Sequence, residues 1–278
     1  MRIRYMVDVA SDLVLVVGAT GGVGQLTVAR LLEKTSFRVR VLTRNADRAK
    51  KMFGDRVEIV VGDIRYPDTI SAAMLDVNYI ICSTGSSAFP SSKWEFDVSD
   101  NPIEWLKIYF DSSYRNLKAK NSPHKIDGEG VSNLVAAAPK NLTRFVLVSS
   151  CGVLRQDIFP YSILNSFGVL DAKKKGEQAL INSRLPYTII RPGRLIDGPY
   201  TSYDLNTLLK AKTDGKLDIL LGQGDKLTGQ TSRIDVATAC VESILQPITE
   251  GKIFEIINGG NRPSEIDWKK LFSNLNQS

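Results

Sequence analysis

Five apolar residues followed at once by a glycine-rich turn constrain the fold more than any other feature of this chain. Residues 13–17 are Leu-Val-Leu-Val-Val, and residues 18–24 are Gly-Ala-Thr-Gly-Gly-Val-Gly. Apolar residues then recur at helical spacing as far as Leu32. Because the apolar run favours a buried strand and the later spacing favours a helix, the segment predicts a strand, a tight turn and a helix in succession.

Three glycines of this turn have separate physical roles. Gly18 allows the chain to turn sharply, Gly21 lets bare backbone approach a phosphate, and Gly24 lets helix and strand pack closely. Free N–H groups and the positive dipole at the helix start favour an anion. The segment therefore predicts a site for the pyrophosphate of a dinucleotide; the alternative is that the glycines serve only the turn.

Apolar, β-branched runs recur along the chain with helical stretches between them. This alternation is typical of parallel strands buried on both faces of a sheet. We predict strands at 13–17, 39–43, 57–61, 79–83, 145–149, 187–191 and 254–257. We predict helices at about 23–34, 68–74, 127–138, 172–183 and 235–245. The chain is therefore predicted to be a single α/β domain over residues 1–278, with a doubly wound parallel sheet.

Composition excludes several classes of protein. The 278 residues are 43% hydrophobic and 24% charged, which suits an ordinary globular chain with a sizeable core. The longest apolar runs are far shorter than the roughly 20 residues of a membrane span. Asp8 and Asp12 interrupt the N-terminus, where a signal peptide would be apolar. We therefore expect a cytoplasmic protein without a transmembrane segment, for which peripheral membrane association stays open.

Metal and nucleic-acid sites are not indicated. Cys82, Cys151 and Cys240 lack CxxC spacing, so we expect neither a disulfide nor a thiolate metal site. His124 is the single histidine, which argues against His-ligated metals and a Ser-His-Asp hydrolase. The 36 basic and 30 acidic residues leave a net charge of +6 without a basic run, so we expect no nucleic-acid partner. No feature decides between a monomer and a dimer.

Residues 90–123 break the alternation of strands and helices. A connection of this length far exceeds the few residues that usually join such elements. It combines apolar and aromatic residues with cations, among them Trp105, Tyr109, Lys107 and Lys118. One interpretation is a short helix folded over the sheet edge, and the other is a lid or a docking patch for a protein partner. We expect this insertion to act on a substrate or partner, and not on dinucleotide binding.

The end of the second predicted strand bears on which dinucleotide binds. NAD-specific sites usually carry a carboxylate there, whereas this strand ends Thr43-Arg44. Arg44 offers a planar pair of donors to a 2′-phosphate, with Thr43 beside it. Arg48 and Lys50 either add donors or form a solvated helix face. We therefore predict NADP(H) as the cofactor. Asp63, after the third strand, is placed to contact adenine or to cap a following turn.

Seven motifs, in order between residues 13 and 257, resemble those of the atypical short-chain dehydrogenases/reductases. The motifs are Gly18-Ala-Thr-Gly-Gly-Val-Gly24, Val61-Gly-Asp63, Cys82-Ser-Thr-Gly85, Val146-Leu-Val-Ser-Ser150, Lys173-Lys-Lys-Gly-Glu177, Tyr187-Thr-Ile-Ile-Arg-Pro-Gly193 and Ser232-Arg-Ile-Asp-Val-Ala237. The chain is similar in particular to the NAD(P)-binding, NmrA-like group, which includes biliverdin reductase B-like, plastid and photosynthetic-bacterial proteins. The motifs specify this group and not a substrate.

The resemblance implies a Rossmann sheet of order 3-2-1-4-5-6-7, with a small substrate-covering region at about 198–230 plus the C-terminal tail. It also implies how the cofactor is held. The pyrophosphate would lie on Gly18, Thr20, Gly21, Gly22, Val23 and Gly24, the 2′-phosphate on Arg44, and the adenine on Asp63 and Ile64. Contacts on the nicotinamide side would come from Ser83, Thr84, Gly85, Ser149, Lys173, Pro192 and Gly193.

The usual proton donor of this superfamily is missing. Its carbonyl reductases use a serine and a Tyr-x-x-x-Lys pair, in which the lysine lowers the pKa of the tyrosine. If Lys173 is that lysine, Val169 occupies the tyrosine position. Lys173 and Ser150 are the candidate catalytic residues, and Cys151 competes with Ser150 for the hydroxyl position. The alternative for Lys173 is a surface ion pair with Glu177, four residues along a helix.

Two functions stay open. The first is an NADPH-dependent reductase of a quinone-like or aromatic acceptor, which needs no tyrosine because the proton can come from solvent. Its pocket would be walled by residues 90–123 together with Tyr200, Thr201 and Tyr203. The second is a non-catalytic NADP(H)-binding redox sensor, or an assembly factor for a photosynthetic complex, in which the bound cofactor shapes a docking surface.

Overall fold

The structure is a computed structural model that describes residues 11–90, 94–98, 101–196 and 217–276. The strands are β1 (Leu13–Val17), β2 (Arg38–Thr43), β3 (Glu58–Val61), β4 (Tyr79–Cys82), β5 (Arg144–Val148), β6 (Tyr187–Pro192), β7 (Arg194–Leu195), β8 (Leu217–Gly222), β9 (Gln230–Thr231) and β10 (Lys252–Asn261). The α-helices are α1 (Gly22–Lys34), α2 (Ala46–Phe53), α3 (Pro102–Phe110), α4 (Ser112–Lys118), α5 (Val131–Ala137), α6 (Tyr161–Leu164), α7 (Val169–Asn182), α8 (Arg233–Leu245) and α9 (Trp268–Ser273). A π-helical turn, His124–Gly130, leads directly into α5.

One sheet joins these strands in the order β3-β2-β1-β4-β5-β6-β10-β9-β7, with β8 also paired to β10. The strands β1 to β6 and β10 form parallel pairs, whereas β8 and β9 run antiparallel to β10. The seven predicted strands correspond to β1 to β6 and β10, so their predicted order is confirmed. The structure adds the short strands β7 and β9 and the antiparallel strand β8.

The two faces of the sheet carry separate cores, which is why the strands are apolar throughout. In β1, Val14 and Val16 pack into one core, while Leu13, Leu15 and Val17 pack into the other. Helices α1 and α8 contact each other over the first face, and α5 contacts α7 over the second. Both faces of the sheet are therefore buried, as is typical of a doubly wound α/β sheet. The predicted doubly wound parallel sheet is confirmed.

The sheet order reverses at β1, which lies between β2 and β4. The connections that leave β1 and β4 therefore diverge toward different parts of the molecule. In open α/β sheets, this divergence produces a crevice outside the carboxyl ends of the strands. The crevice in this chain lies between the glycine turn after β1 and residues 83–87 after β4.

Several local predictions differ from the structure. The predicted helix at 68–74 is wrong: two short 3₁₀ helices, Pro67–Thr69 and Ser71–Met74, take its place, and the first begins at a proline that cannot donate an N–H. The sequence pattern misses α2, because its buried face consists of only Ala49, Met52 and Phe53.

The two irregular regions differ from expectation in different ways. The insertion contains two helices, α3 and α4, in place of one. In the predicted substrate-covering region, residues 217–222 form β8 on the sheet. Residues 198–216, which include Tyr200, Thr201 and Tyr203, lie outside the described residues.

Candidate functional site

The turn between β1 and α1 has contacts that only glycine permits. Gly18 has φ +82°, and a Cβ there would lie 2.9 Å from the backbone nitrogen of Thr84. A Cβ on Gly24 would lie 2.1 Å from the carbonyl oxygen of Gly18. Both distances are far below a normal carbon contact, so neither position accepts a side chain. Gly21 differs, because its nearest such contact is 3.2 Å and it lines an open cleft.

The amino end of α1 is open to an anion. Its N-cap, Gly21, makes no side-chain hydrogen bond, and the first turn has no acidic residue. The N–H groups of residues 22–24 lack acceptors one turn back in the helix, so they suit a phosphate. The turn is held from outside, because the side chains of Gln25 and Arg48 donate to the carbonyl of Thr20 at 3.1 and 3.2 Å.

A cleft of about 560 Å³ lies at the carboxyl ends of β1 and β4. Its lining includes nine of the predicted cofactor residues: Gly18, Thr20, Gly21, Arg44, Asp63, Ile64, Ser83, Thr84 and Gly85. The remaining lining residues are Val17, Leu42, Thr43, Arg48, Gly62, Ser86, Ser87, Trp94, Glu95, Asn121 and Ile126. The fold thus brings the glycine turn, the ends of β2 and β3, and the segment after β4 to one place, while their contact with a cofactor stays a prediction.

Two arginines give one end of the cleft a positive charge. Arg44 is exposed directly after β2, and within the described ranges no hydrogen bond or ion pair holds its guanidinium. Arg48, on α2, lines the same end. Lys50 differs, because it pairs with Asp55 beyond the end of α2. Of its two predicted roles, Lys50 therefore belongs to a solvated helix face and does not add a donor to the cleft. Arg44 and Arg48 therefore supply the positive charge at this end of the cleft.

Asp63 is held by Arg65, a partner that the sequence pattern misses. Nε of Arg65 lies 3.0 Å from both carboxylate oxygens, Nη2 lies 2.5 Å from Oδ2, and the Arg65 backbone N–H donates to Oδ1 at 3.0 Å. Burial raises the pKa of Asp63, but these hydrogen bonds and the charges of Arg65 and Arg44 together lower it below the usual value. Asp63 therefore caps the turn that follows it, which is one of its two predicted roles, and its contact with adenine stays a prediction.

Lys173 is held by Asp127 beside the opposite end of the cleft. Nζ of Lys173 lies 2.7 Å from Oδ1 of Asp127, while Oδ2 accepts from the N–H and the hydroxyl of Ser86, both at 3.0 Å. The alternative ion pair of Lys173 with Glu177 is wrong. Glu177 is instead buried against Arg191, whose Nε and Nη2 lie 3.0 and 2.6 Å from its two carboxylate oxygens.

Ser149, and not Ser150, shares a cavity with Lys173. This small cavity is lined by Thr84, Asp127, Val131, Leu147, Val148, Ser149 and Lys173. The hydroxyl of Ser149 is buried and, in the part of the chain that the structure describes, has no hydrogen-bond partner. The hydroxyl of Ser150 donates to the carbonyl of Cys151 at 2.9 Å, so the structure does not bring Ser150 to Lys173. Burial raises the pKa of the Cys151 thiol to about 12, which leaves no thiolate at neutral pH.

Pro192 and Gly193 lie at the end of β6 and line neither of these two cavities. The carbonyl of Pro192 accepts from the N–H of Cys151 at 2.9 Å. The N–H of Gly193 lies 3.0 Å from the carbonyl of Ile256 and 3.1 Å from the hydroxyl of Thr231. These bonds join β6 to its surroundings, and a contact of Pro192 or Gly193 with nicotinamide stays a prediction.

The tyrosine position of the superfamily is filled by an apolar core residue. Val169 is buried and packs with Val153 and Leu170. The hydroxyl of Tyr161 is engaged elsewhere, 3.1 Å from Arg155 and 3.2 Å from Thr228. No tyrosine lines either cavity, as far as the described residues go. Val169 and Tyr161 therefore supply no proton donor beside Lys173, and the absence of the usual donor from the whole site stays a prediction.

The insertion forms one wall of the large cleft. Trp94, Glu95 and Asn121 line it, and two stretches of the insertion pair with each other through an antiparallel bridge between Phe96 and Ala119. Three residues of the insertion thus line the cleft, and the expectation that the insertion does not act on dinucleotide binding stays a prediction.

The sequence analysis missed two polar residues of the site, Arg65 and Asp127, and only the first has a local sequence signal. Arg65 follows Asp63 by two residues, a spacing at which a carboxylate commonly accepts from the backbone, so a local signal exists. Asp127 is 46 residues from Lys173, and its neighbours resemble any helix start. Only the tertiary fold reveals that contact.

The residues present fit a phosphorylated dinucleotide. The first turn of α1 offers free N–H groups, Gly18 and Gly24 keep side chains out of the turn, and Arg44 has no carboxylate partner among the described residues. At the other end, the buried hydroxyl of Ser149 lacks a partner within the described ranges. A buried hydroxyl without a hydrogen bond is costly, so this arrangement suits a polar ligand group at that point.

Comparison with known proteins gives a family and several relatives. The model of a family described as NAD(P)H-binding matches residues 18–247. The chain is 34% identical over 267 residues to "Protein TIC 62, chloroplastic" of Arabidopsis thaliana, across 88% of this chain and 36% of that protein. It is 31% identical to sanguinarine reductase of Eschscholzia californica, across 94% of this chain and 95% of that enzyme. It is 25% identical to photosystem II assembly factor Ycf39 of Trieres chinensis, across 89% and 64%.

The relatives differ in length and the solved structures are more distant. The chain spans about a third of the length of TIC 62 and nearly all of sanguinarine reductase. The structure of ChuY, named an anaerobillin reductase from Escherichia coli O157:H7, has a TM-score of 0.62 at 23% identity and covers 91% of this chain and 100% of that chain. At this identity the likeness concerns the fold. In the described residues, every helix is too short or too polar to cross a membrane.

Proposed function

Because the chain belongs to the NAD(P)H-binding family and, within it, to the atypical short-chain dehydrogenases/reductases, we propose that it binds NADP(H) and reduces a quinone-like or aromatic acceptor. The observation that carries this proposal is the cleft that joins the glycine turn to an unpaired Arg44 at one end and to Lys173 beside the other. The similarity to sanguinarine reductase, which extends over nearly the whole of both chains, supports a reductase.

The preference for NADP(H) over NAD(H) rests on the end of β2. The residues there are Thr43, Arg44 and Asn45, so no carboxylate is present to accept hydrogen bonds from a ribose diol. A carboxylate would also repel a 2′-phosphate, whereas a planar guanidinium donates to it in pairs. Arg48 adds a second positive charge at the same end of the cleft.

The acceptor end of the site determines which substrates are feasible. When bound, the nicotinamide supplies a hydride. The chain itself offers the aromatic ring of Trp94, the hydroxyls of Ser86 and Ser87 that line the cleft with it, and the ammonium of Lys173 nearby. Because Val169 replaces the tyrosine, we propose that the proton comes from solvent. A quinone-like acceptor tolerates this better than a simple carbonyl, whose reduced oxygen needs a strong donor at once.

A second function is favoured by one observation. The tyrosine position is filled by a buried valine, which suits a protein that binds NADP(H) without turnover as a redox sensor or as an assembly factor for a photosynthetic complex. Similarity to a protein named as a photosystem II assembly factor is in line with this alternative. A cytoplasmic location, a protein partner at residues 90–123 and the choice between monomer and dimer stay predictions.

Calorimetry with NADPH and NADH tests cofactor binding. We expect NADPH to bind more tightly, and Arg44→Ala to weaken NADPH by about 10- to 100-fold, because a hydrogen bond to a charged group contributes about 1.5–3 kcal/mol. NADH should be affected little. Lys50→Ala is the matched control, since this cation belongs to α2 but pairs with Asp55 outside the cleft. No heat with either nucleotide, or tighter binding of NADH, would contradict the proposal.

An acceptor screen separates the two functions. Purified protein with NADPH is tested against quinones, flavins and tetrapyrroles, and NADPH oxidation is followed by absorbance. Turnover above the protein-free background supports the reductase. Tight NADPH binding without oxidation by any acceptor supports the non-catalytic alternative.

A further inference from the structure

We propose that Glu95, in the insertion, recognises the 6-amino group of the adenine base of NADP(H). The inference rests on the proposed binding of NADP(H), and it departs from the expectation that the insertion does not act on dinucleotide binding. Glu95 and Asn121 both line the large cleft. The end of the cleft concerned is the one that carries Arg44, opposite Lys173.

The adenine must lie at the end of the cleft that carries Arg44. In NADP(H) one ribose carries both the 2′-phosphate and the adenine, so a phosphate at Arg44 brings the base to the ends of β2 and β3. The lining there includes two apolar side chains, Ile64 after β3 and Ile126 in the π-helical turn. Ile64 is held against Gly130, where a Cβ would lie 2.7 Å from its side chain. This end of the cleft therefore suits a flat, largely apolar ring.

Asp63, the acid that follows β3, has little capacity left for an amino group. Its Oδ1 accepts from the backbone N–H and from Nε of Arg65, and its Oδ2 accepts from Nε and Nη2. A carboxylate has about four acceptor sites, and these contacts use most of them. The positive charge of Arg65 also offsets the negative charge of Asp63. The amino group of adenine therefore gains most from a second acceptor in the cleft.

A strap of the insertion brings a second carboxylate to this end. The strap consists of residues 95–97 and 118–121, which pair through the antiparallel bridge already described. The N–H of Lys120 donates to the carbonyl of Glu95 at 2.7 Å, and the N–H of Glu95 donates to Oδ1 of Asn121 at 2.8 Å. The backbone of Glu95 is therefore fixed by hydrogen bonds on both of its polar groups.

Arg65 ties this strap to the turn that Asp63 caps. Its Nη1 donates to the carbonyl of Lys120 at 2.5 Å. The hydrogen bond to Asp63 raises the pKa of Arg65 above its usual value against the effect of burial, and the charge of Glu95 adds to the rise, so the two charges interact. Within the described ranges, no hydrogen bond or ion pair holds the carboxylate of Glu95, which is exposed at the cleft. That carboxylate can therefore accept from an amino group.

A change at position 6 of the base tests this role. Adenine carries an amino group there, whereas hypoxanthine carries an oxo group, which is itself an acceptor. We expect wild type to bind NADP⁺ about tenfold or more tightly than nicotinamide hypoxanthine dinucleotide phosphate, because a site that hydrogen-bonds an N–H group rejects an analogue without it. Glu95→Gln, whose amide can donate to the oxo group, should reduce this preference to about threefold or less. Calorimetry measures the binding of both dinucleotides.

Asp97→Asn is the matched control, because Asp97 is an exposed acid of the same strap that pairs with Lys120 and does not line the cleft. It should keep the wild-type preference, and urea unfolding should be the same for both variants as for wild type. Equal binding of the two dinucleotides by wild type, an unchanged preference in Glu95→Gln, or an equal loss of preference in Asp97→Asn would overturn the inference. Failure of wild type to bind either dinucleotide would instead overturn the proposed function.

Discussion

The two ends of the cleft are built in different ways. At the phosphate end, the glycine turn and Arg44 come from β1, α1 and β2, which follow one another directly in the chain. At the other end, Ser86, Asp127 and Lys173 meet from three separate segments, and the last two are 46 positions apart in the chain. The end proposed to bind phosphate is thus determined by local sequence, whereas the end at Lys173 depends on tertiary contacts.

The two ends of the cleft are also sensitive to different kinds of substitution. The phosphate end depends on glycines that keep atoms out, so its weak point is added volume. The Lys173 end depends on buried ion pairs, and a second one, Glu177 with Arg191, lies one helical turn along α7. Its weak point is the loss of a charged partner, because the remaining charge stays in a poorly hydrated place.

The largest effect is expected from breaking that second ion pair. Glu177→Ala leaves Arg191, which is 5% exposed, without its partner, so we expect the free energy of unfolding to fall by about 3–5 kcal/mol. Burial lowers the pKa of Arg191, but the hydrogen bonds and charge of Glu177 outweigh it and raise the pKa above its usual value. Urea unfolding measures the loss. Glu33→Ala, which removes an exposed partner of Arg30 on α1, should cost about 0.5 kcal/mol or less. A loss of similar size in both variants would contradict the comparison.

A smaller loss of stability, with a direct loss of binding, is expected from added volume at the phosphate end. The new Cβ of Gly24→Ala would press on the carbonyl of Gly18, and we expect a cost of about 1–3 kcal/mol in unfolding free energy. Because the turn itself must shift, the binding of NADPH should weaken together with the binding of adenosine 2′,5′-bisphosphate, a fragment that contains the 2′-phosphate but lacks the second ribose. Gly128→Ala is the control, since its nearest contact is the flexible side chain of Lys175 at 3.4 Å. Unchanged binding of the fragment by Gly24→Ala would show that the turn is not the phosphate site.

The smallest effect is a pH dependence of the stability that the ion pair of Asp63 with Arg65 contributes. The folded state lowers the pKa of Asp63 below the unfolded value near 4, so the unfolded chain binds the proton more readily. The ion pair with Arg65 therefore contributes stability above about pH 4 and loses it as pH falls through the lower folded pKa. We expect Arg65→Ala to cost about 1 kcal/mol or less at neutral pH, with a difference from wild type that shrinks on acidification. Urea titrations between neutral and acidic pH measure it, and a difference that grows toward acid would refute this assignment.

Sequence reasoning succeeds where the physical cause is local. The positive φ of Gly18 and the tight packing of Gly24 follow from a turn between an adjacent strand and helix, and the apolar strands follow from burial on both faces. These features predict the doubly wound parallel sheet, whereas its strand order was implied by the resemblance to a family. Arg44 lies at the cleft because it directly follows β2, which is also a local fact.

Sequence reasoning fails where the cause lies in distant contacts. In the sequence, Glu177 resembles a surface residue because it lies four positions after Lys173. Its buried ion pair with Arg191 has no signal in the neighbouring sequence. Asp127 is hidden for the same reason. Ser149 and Ser150 are neighbours of the same type, and only the packing at the end of β5 decides which one faces Lys173.

Arg65 bonds with Asp63 on the cleft side and donates to the carbonyl of Lys120, in the insertion, at 2.5 Å. One guanidinium therefore ties the rim of the nucleotide cleft to a segment that is distant in sequence. Grafting a shorter connection in place of the insertion would leave that guanidinium short of an acceptor. Any attempt to transplant or trim this segment must redesign position 65 along with it.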